Sequence, residues 1–240
     1  SAPATGPLRV LATNPRYFTD GSGKAICLTG SHTWNNLVEI TRPPSSPNPV
    51  VDYGSFLAFL KSHHHNFFRL WTWESAAEMD SSGAIKYQYS PLPYQRPGPG
   101  AALDGRPKFD LDLFNQAYFD RVRERVIAAR DSGMYVSIML FQGFSLNSKG
   151  HDDPWKGHPF NAHNNINGID GDPNGTGAGL ATHSLSLPAV TTLQEAYIRK
   201  VIDGLNDLDN VLYEITNEDE GSPQNTAWQV LLINFIKAYE

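Results

Sequence analysis

Apolar positions along the chain follow two periods. Near-continuous apolar, β-branched or aromatic runs of strand length occupy 25–29, 66–74, 135–142 and 210–218. Runs of this kind belong to strands buried on both faces, as in parallel sheets. Between them lie segments with helical spacing. Asp52 is placed to cap a helix through Lys61, with Phe56, Leu57, Phe59 and Leu60 on its inner side. A second helix spans 114–132, its apolar stripe Phe119, Val122, Val126, Ile127 and Ala129 and its closing glycine Gly133. Helices over 190–208 and 225–239 complete the pattern. Strand–helix recurs four times with no fixed-period repeat and no domain boundary, which predicts one α/β domain over 1–240. Ahead of it, 8–11 reads as a short strand. Arg16 to Thr19, the turn Asp20-Gly21-Ser22-Gly23 and Lys24 to Leu28 predict a β-hairpin, with 25–29 doubling as the first strand of the main sheet.

Two long loops interrupt the pattern, at about 75–110 and 145–188. Loops of that length in a compact domain usually carry function. The first holds Pro91, Pro93, Pro97, Pro99 and Pro107, and its Tyr87, Tyr89 and Tyr94 are candidates for a substrate wall. A Pro/Ser-rich loop over 41–49 excludes helix there. Each long strand ends in polar groups: Glu74, Gln142-Gly143 and Asn217-Glu218-Asp219-Glu220-Gly221. A carboxylate at the C-terminal mouth of a parallel strand is where α/β barrels keep catalytic groups, so Glu218 is the first candidate.

Composition narrows the field. With 40% apolar and 18% charged residues, the 240-residue chain can build a sizeable core. A net charge of −6 argues against nucleic acid as the partner. No apolar run approaches the ~18 residues of a membrane-spanning helix. The single cysteine, Cys27, excludes an intrachain disulfide and is expected to be buried. The small, Pro-rich opening 1–7 is not a signal peptide but reads as the lead of a processed chain.

Three strand ends together carry a resemblance. Thr29-Gly30-Ser31-His32-Thr33-Trp34, Phe67-Phe68-Arg69-Leu70-Trp71 and Ile215-Thr216-Asn217-Glu218 resemble strand ends one, two and four of clan A glycoside hydrolases. These are retaining (β/α)8 enzymes that include the family-five cellulases. The resemblance implies a TIM-barrel type fold, of which the chain covers about the first four β/α units plus the N-terminal hairpin. It implies cleavage of a β-linked poly- or oligosaccharide by two carboxylates, with Glu218 as general acid/base. Asn217 would bind a sugar hydroxyl and Arg69 the nucleophilic carboxylate. His32 and Trp34 at the first strand mouth, Trp71, Trp73, Gln142 and His163 are further substrate-binding candidates, and Trp71 and Trp73 could each simply be core. In that clan the nucleophile ends strand seven, which four units do not reach. It is therefore expected downstream, with a second copy or a non-catalytic carbohydrate-binding module as the alternatives. Open edges where strands five and eight would pair predict self-association. The resemblance and the processed-looking lead together imply a secreted or periplasmic location.

Two carboxylates have readings of their own. An unpaired guanidinium in the run around Arg69 would be costly, and Glu214, on the face of Thr216 and Glu218, can pair with it. Glu74 is either a polar rim residue or a second carboxylate. Cofactors are not expected, with one alternative. Asp170-Gly171-Asp172-Pro173-Asn174-Gly175 matches the front half of a calcium loop, but Ala181 stands where a bidentate Glu belongs. Structural calcium on Asp170, Asp172 and Asn174, or a plain Asx turn, would each account for it. His63-His64-His65 and the group His151, Asp152, Asp153, His158 and His163 match no zinc spacing. The latter read as hydrogen-bonding groups at the mouth of the third long strand.

Overall fold

The computed structural model describes residues 2–43, 51–147 and 152–240. Most of the Pro/Ser-rich loop and His151 lie outside the described residues. The N-terminal region holds β1 (Arg9–Val10), β2 (Phe18–Thr19) and β3 (Glu39–Thr41), followed by α1 (Tyr53–Ser62) and β4 (Phe67–Leu70). Then come β5 (Ala77–Met79), β6 (Ile85–Ser90), β7 (Tyr94–Gln95), β8 (Asp110–Phe114) and α2 (Gln116–Asp131). The C-terminal half alternates β9 (Tyr135–Gln142), α3 (Pro188–Leu205), β10 (Val211–Asn217) and α4 (Pro223–Tyr239).

The central sheet is parallel, in the order β10-β9-β4. Its register sets Phe67 against Tyr135 and Asn217 against Gln142, so the C-terminal ends of β9 and β10 come level. All eight residues of β9 are buried, as its unbroken apolar run requires of a strand covered on both faces. Helix α2 packs against β9 and α3, and α4 against α3 and β10. Tyr118, Val122, Val126, Val201, Ile202, Trp228 and Leu232 supply the buried stripes.

The expected first strand is not a ladder. Residues 25–29 contribute one antiparallel bridge, Ile26 to Phe18, and the adjoining Gly30 makes a single parallel bridge to Phe67 of β4. Backbone N–H groups of Asn66 and Phe67 donate to Thr29 O (3.0 and 3.1 Å), and side-chain amides add to this stitching. Asn66 accepts from Thr29 N (2.9 Å) and donates to Cys27 O (3.0 Å). Asn36, fully buried, donates to Arg69 O (2.7 Å) and accepts from Trp71 N (2.8 Å). Of the expected hairpin, Phe18 and Ile26 exchange two backbone hydrogen bonds (3.2 and 2.7 Å) but form no longer ladder, and the other edge of β2 pairs with β1. Cys27, outside any ladder, is exposed rather than buried.

Three further expectations change. In α1 the buried stripe is Tyr53, Leu57 and Leu60, a spacing that leaves Phe59 54% exposed on the outer face, against His63. The stretch 75–110 is not a plain loop: β5 and β6 form an antiparallel sheet with β3, and β7 pairs with β8. Its prolines flank these strands or start turns, where no ladder N–H is lost. Segment 145–188 holds short 3₁₀ turns at Gly143–Leu146, Trp155–Gly157 and Leu180–His183. Its buried carbonyls are satisfied by asparagines, as in Asn164 Nδ2 to Lys156 O and His158 O (both 2.8 Å).

Candidate functional site

The C-terminal ends of β9 and β10 and the segment after β4 open onto a cleft of about 420 Å³. Trp71, Trp73, Gln142, Phe144 and Glu218 line it, and Tyr87, Tyr89 and Trp34 extend its walls. That volume lies within the range of small-molecule sites. Trp73 stacks on Tyr89 with ring centroids 4.5 Å apart and donates from Nε1 to Trp34 O (2.8 Å). Trp34 itself is 62% exposed, a large flat apolar surface left open at the cleft edge. An adjoining depression is lined by His32, Trp34, Ile40, Arg42 and Tyr87, with the Arg42 guanidinium 4.7 Å over the Tyr87 ring.

Beneath Glu218 lies a polar network that begins with Arg69. Nε of Arg69 donates to Glu214 Oε2 (2.8 Å) and Nη2 to both Glu214 Oε1 and Asn217 Oδ1, the latter at 2.8 Å. The expected Arg69–Glu214 pair therefore forms. The guanidinium also lies 4.7 Å over the Trp71 ring, which stacks with His32 at 4.7 Å and meets Trp73 at 6.4 Å. Asn217 passes the chain on, donating from Nδ2 to Gln142 Oε1 (3.0 Å). Burial and the nearby Arg69 charge hold the His32 imidazole below its ordinary pKa.

Glu218 follows the last residue of β10 with φ of +53°, the left-handed region that a non-glycine residue enters only at a cost of ~1–3 kcal/mol. The surroundings impose it. Asp219 packs so closely on Gly143 that a Cβ there would lie 2.7 Å from the Asp219 Cα and N. The Asp219 carboxylate is bound in turn by His183, whose Nδ1 is 3.0 Å from each oxygen.

Glu74 is not a rim residue. Its side chain is 12% exposed and sits below the cleft, accepting from Gln142 N (2.6 Å), from His183 Nε2 (3.1 Å) and from His158 Nε2 (3.4 Å). His158 Nδ1 accepts from Phe160 N (3.0 Å), which places the ring proton of His158 on Nε2, toward Glu74. Burial keeps His158 neutral by lowering its pKa. Burial pushes the Glu74 carboxyl up, but the His183 charge and the histidine hydrogen bonds outweigh it and leave the pKa at about 2. For His183 burial works downward, yet Glu74 and Asp219 raise it to about 9.

The structure thus brings Trp34, Trp71, Trp73, Gln142 and Glu218 to one cleft, with Asn217 and Arg69 beneath and His32 beside it. His163 is exposed, does not line the cleft, and donates its backbone N–H to Asn161 Oδ1 (3.1 Å). Of the three tyrosines expected to form a wall, Tyr94 is buried with Glu74 against a small internal cavity of about 30 Å³. In the calcium-like loop Asp172 N donates to Asp170 Oδ1 (2.9 Å), an Asx turn, and the Asp172 carboxylate accepts from Thr176 N, Thr176 Oγ1 and Gly177 N. Among the described residues no three His, Cys, Asp or Glu side chains converge as a metal site. His183 and Asn36 escaped sequence reasoning: one is a single histidine in a loop, the other a single amide beside a broken strand.

No curated protein matches the chain. Its fold is similar to that of a Bacteroides vulgatus protein described as a candidate glycoside hydrolase, with TM-score 0.57 and 15% identity over 98% of this chain and 36% of that one. It is similar as well to a Bacteroides vulgatus glycoside hydrolase family 5 structure, with TM-score 0.56 and 14% identity over 100% of this chain and 40% of that one. The chain thus spans less than half the length of these structures, and at such identity the likeness is one of fold. Residues 79–240, which include the ends of β9 and β10, match the family described as Domain of unknown function (DUF6298), and the chain belongs to that family.

Proposed function

We propose that this chain forms the acid/base half of a retaining glycoside hydrolase acting on β-linked poly- or oligosaccharides. The observation that carries the reading is Glu218, presented at the C-terminal end of a parallel strand into a cleft walled by tryptophan and tyrosine rings. Aromatic faces suit the apolar faces of sugar rings, and the rim polar groups suit their hydroxyls. In the first step Glu218 donates its proton to the leaving glycosidic oxygen while a second carboxylate attacks the anomeric carbon. In the second step Glu218, now ionised, takes a proton from the water that releases the sugar.

Retention requires carboxyl groups ~5–5.5 Å apart. Glu74 is taken up by two histidines and a backbone N–H, and Glu78 on the cleft wall accepts from the Tyr89 hydroxyl; we assign the second carboxylate to sequence downstream of these 240 residues. That assignment accords with the length of the glycoside hydrolases of similar fold, of which the chain spans 36% and 40%. On this reading the fold is the first part of a (β/α)8 barrel, and the enzyme acts outside the cytoplasm. The exposed Trp34 supports a second reading, a module that holds carbohydrate without cleaving it.

The test is Glu218→Gln in the protein extended by its downstream sequence, assayed on aryl β-glycosides of graded leaving-group ability. We expect kcat to fall by ~10²–10⁴ on glycosides of poor leaving groups, which need the proton, and much less on activated ones. Equal loss on both, or none, would remove Glu218 from this role. Sugar binding without turnover in the extended wild type would select the binding module.

A further inference from the structure

The machinery described so far leaves one buried charged group without a task. His183 is 1% exposed, in the 3₁₀ turn Leu180–His183 that precedes α3. Its ring lies flat on Trp228 of α4, centroids 4.3 Å apart at 9°, and edge-on to Phe141 of β9 at 5.7 Å. In that plane Nδ1 meets Asp219 at 3.0 Å and Nε2 meets Glu74 at 3.1 Å. An ionised carboxylate only accepts hydrogen bonds, and a neutral imidazole has one N–H to give. Two carboxylates on two ring nitrogens therefore call for the doubly protonated ring. The charged or titratable groups that face it are Glu74 from the segment after β4, Asp219 after β10, and neutral His158 from its loop; β9 and α4 present the Phe141 and Trp228 rings, and Asn225 of α4 binds the His183 carbonyl.

The consequence falls on the residue between Asn217 and Asp219. Asn217 is tied to Arg69 and Gln142, and Asp219 to His183, so the left-handed Glu218 is pinned from both sides. Glu74 extends the tie to β9, through the N–H of Gln142. We propose that His183 is a positioning residue: clamped as an imidazolium between Glu74 and Asp219, it fixes the Glu218–Asp219 turn and so aims the Glu218 carboxyl into the cleft. This rests on the reading of Glu218 as acid/base.

Two measurements test it separately from that reading. The first needs no activity: ¹⁵N spectra of the histidine rings in the wild-type chain, assigned through His183→Gln. Both His183 nitrogens should read as protonated at pH 7.5, and one should lose its proton in Asp219→Asn. A neutral His183 in the wild type overturns the proposal whatever Glu218 does. The second measures His183→Gln and Asp219→Asn in the extended protein on glycosides of poor leaving groups. Misplacing a catalytic group by about 1 Å costs ~10²-fold, so kcat should fall by that order with KM within about twofold. The alkaline limb of the wild-type kcat profile set by His183 should vanish in His183→Gln. If His183→Gln does not fold, Asp219→Asn, which keeps the turn's hydrogen-bonding shape, carries the kinetic arm alone. Wild-type kcat in a folded Asp219→Asn overturns the proposal while leaving Glu218 intact. Wild-type activity in Glu218→Gln instead overturns the acid/base reading.

Discussion

A methyl group at position 143 would sit 2.7 Å from the Cα, N and Oδ1 of Asp219, closer than real Cβ atoms come to backbone. Neither side yields cheaply: Gly143 follows the fully buried β9, and Asp219 is held by His183. Gly143→Ala should therefore destabilise by ~1–3 kcal/mol and lower cleft activity more than its distance from solvent suggests. Chemical denaturation beside kcat measures both. Arg69 has a comparable constraint. Its fork spans Glu214 and Asn217 at a quarter exposure, and an ammonium cannot reproduce that geometry. Arg69→Lys should cost about 1–3 kcal/mol, and Arg69→Met together with Glu214→Gln less than Arg69→Met alone, since a lone buried charge is worse than none. A denaturation midpoint series decides it.

The same scale carries a pH prediction. His183 has its folded pKa raised from 6.5 to about 9, so its contribution is complete below pH 6.5 and lost as pH rises through about 9. Glu74 has its pKa lowered from 4.5 to about 2, so its contribution is complete above pH 4.5 and lost as pH falls through about 2. Stability from this pair should be flat between pH 4.5 and 6.5 and decline on both sides. His183→Gln should flatten the alkaline decline; an unchanged alkaline slope in that variant would show that some other group sets it.

Among elements, the central strands and their helices were legible because burial on both faces writes itself as an unbroken apolar run, and a packed helix as a stripe. The Arg69–Glu214 pair followed from strand alternation and the cost of an unpaired guanidinium, whereas Glu218 was singled out by its place at a strand mouth and Asn217 by the family resemblance. The first strand was misread for a physical reason. An apolar run such as 25–28 promises a ladder only if neighbouring backbone stays in reach along its length, and here backbone pairing is confined to Ile26, Thr29 and Gly30 while Asn36 and Asn66 add bonds with their side chains. Side-chain amides leave no periodic trace. The stretch 75–110 hid three short strands among prolines for a similar reason, each strand being too short to show a period. His183 could not be foreseen, because its partners lie 109 and 36 positions away in sequence. The amide stitch has a measurable consequence. Asn36→Ala leaves Trp71 N–H and Arg69 C=O without that partner, and should cost ~1–3 kcal/mol and loosen Trp71 beneath the cleft. Amide exchange at Trp71 should quicken, whereas Asn35→Ala, whose side chain only accepts from the Thr33 hydroxyl, should leave it slow.

At the scale of the molecule the sheet has an open edge. β10 pairs with β9 alone, and among the described residues no strand lies on its other edge, where Val211, Leu212 and Tyr213 are only half-buried. Beyond it α4 presents Val230 at 50% exposure, Ile233 at 39% and Tyr239 at 41%. Row upon row of open N–H and C=O groups recruits further strands, and an apolar helix face beside it recruits cover. The 240-residue chain should therefore self-associate in a concentration-dependent way in light scattering coupled to size exclusion. Val230→Lys with Ile233→Lys, both at exposed positions, should shift it toward monomer without lowering its melting temperature. Extension by the downstream sequence should do the same, since the following strand would take the β10 edge. A chain that stays monomeric at high concentration, folded and with its apolar α4 face bare, would count against reading this sheet as part of a larger barrel, and Glu218 would then have to work with a carboxylate already present here.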